Sequence, residues 1–306
     1  MTSKTTPLEP GELWSLVRSR TAHALECGAQ QSIPTTGQVI AEQGVDFSVR
    51  IVASLDRKRA ARDVSEIGAR APKGSPNPFL PHDPDLFVTD LSPTHLCLLN
   101  KFNVVDHHLL IVTRAFEDQE TLLTLADFEA MWTCMSDRSW LAFYNSGQIA
   151  GASQPHKHLQ LVPLPLADRG PAVPIEPLLP ELAAGTVAVA PALPFAHALV
   201  RLDPRDPQPA EAAATTLRHY RALLAAVELA TEPSPSEGAR LPPYNLLVTD
   251  RWMLLVPRAE EFFHTISVNA LGFAGALLAR NDQELSVLQS HGPMAILKHV
   301  AVAPAR

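Results

Sequence analysis

The sequence has few cysteines, no long apolar run and no excess of positive charge, and each of these absences excludes a class of protein. The three cysteines, Cys27, Cys97 and Cys134, lack the paired spacing of zinc sites and disulfide frameworks. No run approaches the roughly 18 apolar residues of a membrane span, and residues 1–10 contain no apolar leader core. We therefore expect reduced cysteines in the core of a soluble, cytoplasmic protein.

The formal net charge of -7 argues against a general nucleic-acid binder, which needs a broad basic surface. We expect neither a nucleic acid nor a membrane as a partner. Residues 56–62 still concentrate basic side chains, which form either a solvated face or a clamp for a small polyphosphate. With 306 residues, 46% of them hydrophobic, the chain can bury a sizeable core in one or two domains.

Apolar periodicity predicts a mixture of helices and strands. Helical spacing predicts helices at residues 11–27, 125–136 and 210–230. Short or alternating apolar runs predict strands at residues 37–41, 47–53, 86–88, 95–99, 108–113, 140–144 and 195–202, and a hairpin at 244–258. The prolines of residues 163–194 argue against a helix or a central strand, so we expect a long crossover there. Short helices punctuated by glycine are expected after the hairpin.

One stretch concentrates the chemistry, since residues 151–163 read Gly-Ala-Ser-Gln-Pro-His-Lys-His-Leu-Gln-Leu-Val-Pro. If a strand follows Pro155, its period of two places His156, His158 and Gln160 on one face and Lys157 on the other. The small residues in front of the strand allow backbone N–H groups to approach a phosphate closely. The pattern predicts a pocket wall of two imidazoles and an amide beside an anion-binding turn.

A neutral histidine in this setting suits attack on phosphorus, because an ordinary pKa of about 6.5 leaves a free lone pair at pH 7. Attack on a phosphoanhydride would form a phosphoramidate and divide one transfer into two easier steps. Gln160 can donate to a phosphate oxygen, but it cannot activate water as a histidine could. The pattern thus favours nucleotidyl transfer to a phosphate acceptor over hydrolysis.

Two other interpretations of the His-x-His spacing stay open. It is also a spacing of zinc ligands, although only His107 and His108 are available to supply a third ligand. The two histidines could instead be satisfied within a polar core. We interpret His107 and His108 themselves as structural, because a lone histidine at the end of a strand is more often structural than catalytic.

At these residues the sequence resembles the ATP adenylyltransferases, also called diadenosine tetraphosphate phosphorylases, the transferase branch of the histidine triad superfamily. The resemblance is carried by residues 151–160, 98–104 (Leu-Leu-Asn-Lys-Phe-Asn-Val), 144–147 (Tyr-Asn-Ser-Gly) and the 244–258 hairpin, and it extends over most of the chain from about residue 47. It implies an α+β fold of the histidine-triad type, with a mixed, largely antiparallel sheet and flanking helices.

The proline-rich crossover, flanked by two apolar halves of similar plan, divides the chain into three parts, and the resemblance supplies the names of the halves. Residues 1–165 would form the catalytic half with its N-terminal helix, residues 166–194 the Pro-rich crossover, and residues 195–306 the C-terminal adenylyltransferase half. The two halves would share one continuous core.

The resemblance implies that His158 takes AMP covalently, while His156 and Gln160 orient it and hold the α-phosphate. It also implies a magnesium ion on the substrate phosphates. An early lysine would neutralise the polyphosphate, and Lys73 is a rival of Lys58 for this role. The implied substrate-binding residues are Lys58, Asn100, Lys101, Asn145, Gly151, Ala152, Ser153, Gln154, Asn245, Thr249, Met253 and Arg258.

Enzymes of this kind cleave diadenosine tetraphosphate with inorganic phosphate to give ATP and ADP, and some act on adenosine phosphosulfate. The resemblance therefore implies a nucleotidyltransferase whose partners are nucleotides and phosphate. The alternatives are a hexose-phosphate uridylyltransferase or a dinucleoside polyphosphate hydrolase on the same scaffold, and a nucleotide sensor without activity. Uridylyltransferases carry His-Pro-His-x-Gln, whereas Lys157 replaces that proline here, and Asn-Lys-Phe at 100–102 favours the adenylyl branch.

Overall fold

The computed structural model describes residues 11–52, 77–136, 138–203, 209–230 and 238–304. The basic segment 56–62, including Lys58, and the rival Lys73 lie outside these residues, so the phosphate clamp stays a prediction. None of the helices in the described ranges is long and apolar enough to cross a bilayer.

The described residues contain six α-helices. They are α1 (Glu12–Cys27), α2 (Leu125–Met135), α3 (Pro209–Ala226), α4 (Ala270–Phe273), α5 (Asp282–His291) and α6 (Pro293–Val300). Helix α1 buries one face and ends at Gly28, whose φ of 79° is a conformation that glycine adopts easily. Helix α2 begins with a capping box, in which the side chains of Thr124 and Asp127 each accept a hydrogen bond from the other's backbone N–H. The three long helices confirm the helical predictions.

Fourteen strands lie in the described residues. They are β1 (Thr35–Glu42), β2 (Val45–Val52), β3 (Phe87–Asp90), β4 (His95–Leu99), β5 (Leu109–Thr113), β6 (Trp140–Asn145), β7 (His158–Pro163), β8 (Val187–Ala188), β9 (Ala198–Arg201), β10 (Tyr244–Val248), β11 (Trp252–Pro257), β12 (Phe262–Phe263), β13 (Ile266–Ser267) and β14 (Ala276–Ala279). The predicted hairpins appear as β1–β2 and β10–β11, both antiparallel.

Nine strands form one antiparallel sheet in the order β3-β4-β5-β7-β6-β10-β11-β9-β8. A second sheet has the order β1-β2-β14, and β14 runs parallel to β2. The mixed, largely antiparallel α+β fold is therefore confirmed. Strand β14 was not predicted. The predicted crossover contains, in regular structure, the two-residue strand β8 and a single 3-10 turn at Glu176–Leu178.

The two predicted halves share the nine-stranded sheet, because β6 from the first half pairs with β10 from the second. Each face of the sheet carries a hydrophobic core that draws on both halves. Leu159 and Met253 lie in the core that α1, α2 and α3 cover, and Phe143 and Leu247 lie in the core that β2 and α4 to α6 cover. The cores are therefore continuous across the two halves, while the boundaries assigned to the halves stay a prediction.

Candidate active site

The predicted nucleophile His158 is the first residue of β7 and points to the same face of the sheet as Gln160. In β5, Val112 lies opposite His158 and Leu110 lies opposite Gln160, and such pairs share a face. The ring of Phe79 lies over His158, with the ring centroids 5.4 Å apart. The predicted common face of His158 and Gln160 is thus confirmed.

Hydrogen bonding selects the tautomer of His158. Its Nδ1 lies 2.8 Å from the backbone carbonyl oxygen of His156. Because a carbonyl only accepts, Nδ1 must carry the proton, and Nε2 keeps its lone pair. This is the arrangement that a nucleophilic imidazole needs.

Burial keeps His158 uncharged. The side chain is 4% exposed, and the loss of hydration lowers its pKa to about 4. The bond to the His156 carbonyl raises this pKa and the nearby His156 ring lowers it, both by less than burial does. At neutral pH, His158 therefore has a lone pair available without a separate base.

His156 is a fully bonded core residue. Its Nε2 donates to the Thr113 carbonyl at 2.8 Å, and its Nδ1 accepts from the Asn77 amide at 2.9 Å. It precedes β7 and forms only an isolated bridge with Asp118. Both ring nitrogens are thus bonded within the protein, and the predicted contact of His156 with the α-phosphate stays a prediction. His156 positions His158 through its backbone carbonyl.

Gln119 holds the catalytic strand where β6 and β7 separate. Its Oε1 accepts from the backbone N–H of His158 at 2.8 Å, and its Nε2 donates to the carbonyls of Asn145 at 2.8 Å and His158 at 3.2 Å. The paired residues of the two strands end at Phe143 and Gln160, so the Gln119 amide takes over the pairing beyond that point. Sequence analysis missed Gln119, because a single glutamine in a loop carries no local signal.

A chain of hydrogen bonds sets the orientation of the Gln160 amide. The backbone N–H of Phe102 donates to Asn100 Oδ1 at 3.1 Å, so the amide nitrogen of Asn100 is the atom 3.2 Å from His108 Nδ1. His108 then accepts at Nδ1 and donates from Nε2 to Gln160 Oε1 at 2.9 Å. Because its oxygen is occupied, Gln160 has its NH₂ group left to donate to a ligand.

His108 supports the site even though it was predicted to be structural. Burial lowers its pKa to about 4, so it is neutral and can both accept and donate in the chain. Asn100 contributes through His108, and both ends of its amide are already bonded. Lys101 is exposed, with its Nζ 5.5 Å from the centre of the Phe102 ring, and its contact with phosphate stays a prediction.

A second chain of hydrogen bonds ends at Asn145. Arg258 Nη1 donates to Asn245 Oδ1 at 2.6 Å, and Asn245 Nδ2 donates to Asn145 Oδ1 at 2.8 Å. The backbone N–H of Ala270 also donates to Asn145 Oδ1 at 2.9 Å, which identifies that atom as the oxygen. Asn145 Nδ2 is buried and has no hydrogen-bond partner within the described ranges. A buried donor without a partner costs about 1–3 kcal/mol, so this NH₂ group is a strong candidate for binding an anion.

Arg258 and Asn245 lie behind the site. Arg258 is 3% exposed, and its nitrogens donate to the carbonyls of Ala150, Val268, Glu260 and Val300 as well as to Asn245. Asn245 is also bonded at both ends of its amide. Most of the donors of Arg258 and both ends of the Asn245 amide are thus already bonded within the protein, and the predicted direct contact of these two side chains with substrate stays a prediction.

Thr249 and Met253 do not reach the site either. Thr249 lies in the turn between β10 and β11, where its Oγ1 accepts from the backbone N–H groups of Arg251 and Trp252, both at 3.1 Å. Met253 is fully buried in the core on the other face of the sheet from His158. Their predicted contact with substrate has no support in these positions and stays a prediction.

The turn before β7 depends on two glycines in the left-handed region, Gly147 with φ 80° and Gly151 with φ 90°. A β-carbon on Gly151 would lie 2.8 Å from the Asn269 Cβ, so no larger residue fits without a shift. The N–H groups of Gly151 and Ala152 donate to carbonyls within the turn. Ser153 and Gln154 are partly exposed beside them, and their contact with phosphate stays a prediction.

Lys157 points away from the nucleophile, as the strand period predicts. Its Nζ is buried and lies 2.9 Å from Asp127 Oδ2, 3.0 Å from Glu117 Oε2 and 2.8 Å from the Leu122 carbonyl. Asp127 also accepts from His95 Nε2 at 3.0 Å. Although burial raises the pKa of Asp127, the His95 and Lys157 partners outweigh it and lower that pKa to about 2. The rear of the catalytic strand is thus fixed by a buried ionic cluster.

The zinc interpretation of the His-x-His spacing is not supported. Within the described ranges, the one convergent group of three metal-type ligands does not include His156 or His158. Magnesium prefers oxygen ligands, and the amide oxygens of Asn145 and Gln160 already accept hydrogen bonds. Neither of these two amides therefore offers a free oxygen to a protein-bound magnesium ion.

The chain is similar to several known proteins. A family model described as the Ap4A phosphorylase N-terminal domain matches residues 3–181, and one described as the ATP adenylyltransferase C-terminal domain matches residues 191–303. Protein APA1 of Saccharomyces cerevisiae is 26% identical over 296 residues, which cover 90% of this chain and 89% of the relative. Diadenosine 5',5'''-P1,P4-tetraphosphate phosphorylase 2 of the same yeast is 27% identical over 242 residues, covering 69% of this chain and 71% of the relative.

The crystal structure of yeast Ap4A phosphorylase Apa2 has a similar fold. The TM-score is 0.76, with 22% identity, and the match covers 98% of this chain and 100% of that one. A structure of Apa2 in complex with Ap4A matches with a TM-score of 0.70.

Proposed function

The chain belongs to the Ap4A phosphorylase family, and on that premise we propose that it cleaves diadenosine tetraphosphate with inorganic phosphate to give ATP and ADP. It is a nucleotidyltransferase in this reaction, which runs through a covalent AMP-histidine intermediate. The observation that carries the proposal is the state of His158, whose Nδ1 is bonded to the His156 carbonyl while Nε2 keeps a lone pair.

In the first step, the Nε2 lone pair of His158 attacks the α-phosphorus of the dinucleotide. A P–N bond forms, the bond from this phosphorus to the bridging oxygen breaks, and ATP leaves with the electron pair. The ring becomes positively charged, and its Nδ1–H bond to the His156 carbonyl becomes charge-assisted and stronger. The carbonyl therefore stabilises the intermediate without taking the proton.

In the second step, an oxygen of inorganic phosphate attacks the same phosphorus. The P–N bond breaks, and its electron pair returns to Nε2, which restores the neutral imidazole. ADP then leaves. The NH₂ groups of Gln160 and Asn145 are suited to donate to the non-bridging oxygens while charge develops on them. Neither amide can act as a base, which supports phosphate rather than water as the acceptor.

Magnesium would accompany the substrate and not the protein. Because the amide oxygens of Asn145 and Gln160 are already bonded, we propose that it is bound by the phosphates themselves. No step above depends on it.

The covalent step can be isolated by mixing the protein with dinucleotide labelled in the adenylyl group, without phosphate. We expect one labelled AMP per protein on His158, release of ATP, and discharge of the label as ADP when phosphate is added. The label should survive alkali and be lost in acid, because a P–N bond is stable in alkali and is hydrolysed in acid. His158→Gly should abolish labelling, while His299→Ala, at an exposed position, should retain it.

Three outcomes would contradict the proposal. Turnover to AMP and ATP without phosphate would identify a hydrolase. Labelling by a uridine nucleotide in place of an adenine nucleotide would identify a uridylyltransferase. Tight binding with no label at all would identify a nucleotide sensor.

A further inference from the structure

A second group of reactive side chains lies outside the proposed active site, where α1 meets the turn before β3. His23 and Cys27 are one helical turn apart on α1, so they occupy the same face. Asp85 faces them, and one ligand atom from each of the three residues lies within 4.8 Å of the other two. His23 Nε2 is 2.9 Å from Asp85 Oδ1.

We propose that His23, Cys27 and Asp85 form a binding site for a divalent cation of the zinc type. An imidazole nitrogen, a thiolate and a carboxylate are the ligands of such ions, whereas calcium and magnesium prefer oxygen alone. Ligand atoms around a tetrahedral ion with bonds of about 2.0–2.3 Å lie roughly 3.3–3.8 Å apart. The three atoms, which lie within 4.8 Å of one another, would have to move closer together by up to about 1–1.5 Å to hold such an ion.

The backbone under these side chains is fixed, while the side chains are accessible. Helix α1 packs against the turn at Pro84–Leu86, and Asp83 caps that turn by accepting from the backbone N–H of Asp85 at 3.0 Å. The side chains of His23 and Asp85 are 48% and 49% exposed. Cys27 Sγ makes a long contact, 3.6 Å, with the Ala24 carbonyl. An ion can thus enter from solvent, with water as its fourth ligand.

The ordinary alternative is an exposed His-Asp ion pair, which contributes little to stability and does not involve Cys27. The position of Cys27 favours the metal site over the simple ion pair. Cys97 and Cys134 are buried, whereas Cys27 is exposed and on the same helix face as His23. The earlier expectation that all three cysteines are core residues is therefore wrong for Cys27, and the metal site gives this thiol a role.

A bound ion would join α1 to the segment that covers the nucleophile. The chain from Asn77 to Asp85 carries the Asn77 amide to His156 and the Phe79 ring to His158. Fixing Asp85 on α1 would restrict the far end of this segment. Because an ion that binds only the folded state stabilises it, zinc should raise the melting temperature of the full chain.

Cobalt is the probe for this site, because a thiolate bound to Co²⁺ gives a charge-transfer band in the near ultraviolet and four-coordinate Co²⁺ gives intense visible bands. Titration of the reduced full chain should produce both with a stoichiometry of one, release a proton from Cys27, and be reversed by Zn²⁺. The variants are Cys27→Ser, His23→Ala and Asp85→Asn, with Glu26→Gln on the same helix as a matched control.

Cys27→Ser should remove the charge-transfer band and the zinc-dependent rise in melting temperature. His23→Ala and Asp85→Asn should each weaken zinc binding by at least the roughly 10–100-fold that the loss of an outer partner costs. Glu26→Gln should change neither. No cobalt spectrum in the unaltered chain, a band that persists in Cys27→Ser, or unchanged affinity in Asp85→Asn would each overturn the proposal. The four positions are at least partly exposed, so we expect the variants to fold, and their folding can be verified independently.

Discussion

At the scale of single residues, backbone N–H groups determine which end of the Asn145 and Gln160 amides is left without a protein partner. The N–H groups of Phe102 and Ala270 can only donate, so the atoms that they contact in Asn100 and Asn145 must be oxygens. The orientation of the Asn100 amide sets the tautomer of His108, and that tautomer in turn sets the orientation of the Gln160 amide. The amides of Gln160 and Asn145 therefore each keep an NH₂ group without a protein partner. If either amide were reversed, its oxygen would take that place and would repel an anionic phosphate.

The support that His108 gives to Gln160 can be measured with a double-mutant cycle. We expect Gln160→Ala to lower kcat for AMP transfer by about 100–1000-fold, the usual effect of removing one such donor. His108→Ala should lower kcat by a part of that, because Gln160 is free to reverse. In the Gln160→Ala background, His108→Ala should have almost no further effect on kcat.

The control for this cycle is His197→Ala. His197 is buried, its pKa is also lowered by burial, and it is bonded to Phe195 and Ala190 far along the sheet. The substitution His197→Ala should lower the stability of the protein, but it should not change kcat measured below the melting temperature. If the losses from Gln160→Ala and His108→Ala simply multiply, the orienting chain does not operate.

The lowered pKa of His158 gives a second test at this scale. A protonated Nε2 cannot attack, so the rate falls as pH drops through the pKa, and burial places that pKa at about 4. We expect the rate of ATP release in the first step to stay level from pH 8 to about 5 and to fall below that. Using the first step alone avoids the titration of the phosphate acceptor. A fall centred near the ordinary value of about 6.5 would show that His158 is hydrated.

The sequence was sufficient to predict that His158 and Gln160 share a face of a strand, but not which residues support them. His158 and Gln160 lie two apart on a strand, and that local period makes them visible together. Gln119 is 39 residues from His158, and Arg258 reaches the site through Asn245 and Asn145. A polar side chain has several possible hydrogen-bond partners, and the sequence alone does not indicate whether it will bind a ligand or a backbone carbonyl.

At the scale of elements, strand β7 carries the proposed nucleophile His158 on one face, and a buried ionic cluster holds the start of the strand on the other. Lys157 lies between His156 and His158, and its buried ammonium group has three acceptors, among them Asp127 and Glu117. Taking these charges out of water is unfavourable unless they stay paired. Removing one partner should therefore loosen the strand that holds His158.

We expect Lys157→Met to lower the free energy of unfolding by about 3–5 kcal/mol, because it leaves the carboxylate of Asp127 buried without its main cation. Urea denaturation at pH 7 measures this. Lys157→Met combined with Asp127→Asn should recover part of the loss, since the buried charge is then absent. Lys101→Met, at an exposed lysine, should stay within about 0.5 kcal/mol of the original chain. Equal effects of the two lysine substitutions would contradict a structural role for the cluster.

Elements with strong local signals were predicted well. The Thr124 cap and apolar stripe predicted α2, and two apolar runs around a polar turn predicted β10 and β11. Strand β14 has only four residues, Ala-Leu-Leu-Ala, and pairs in parallel with β2, with Ala276 opposite Ser48. A short strand whose partner is so distant in the chain has no local pattern to reveal it.

At the scale of the whole molecule, the active site depends on a sheet that neither half completes. Strand β6 has β7 on one side and β10 on the other, and the Asn245 amide reaches Asn145 across that second junction. Without the second half, β6 would become an unprotected edge. The pairing joins residues 100 positions apart, so composition and periodicity could indicate two halves but not this junction.

This dependence predicts the behaviour of a chain divided in the crossover after the exposed Glu181. Residues 1–181 contain the nucleophile, Gln160 and Gln119, yet they lack the strands and helices that bury Leu141 and Phe143 in the shared core. We expect neither 1–181 nor 182–306 to unfold cooperatively alone, because each would expose a large apolar face and an open strand edge. Mixed or coexpressed, the two pieces should associate, recover a single cooperative transition and restore AMP labelling of His158. A piece 1–181 that folds and labels by itself would show that the first half is an independent catalytic domain.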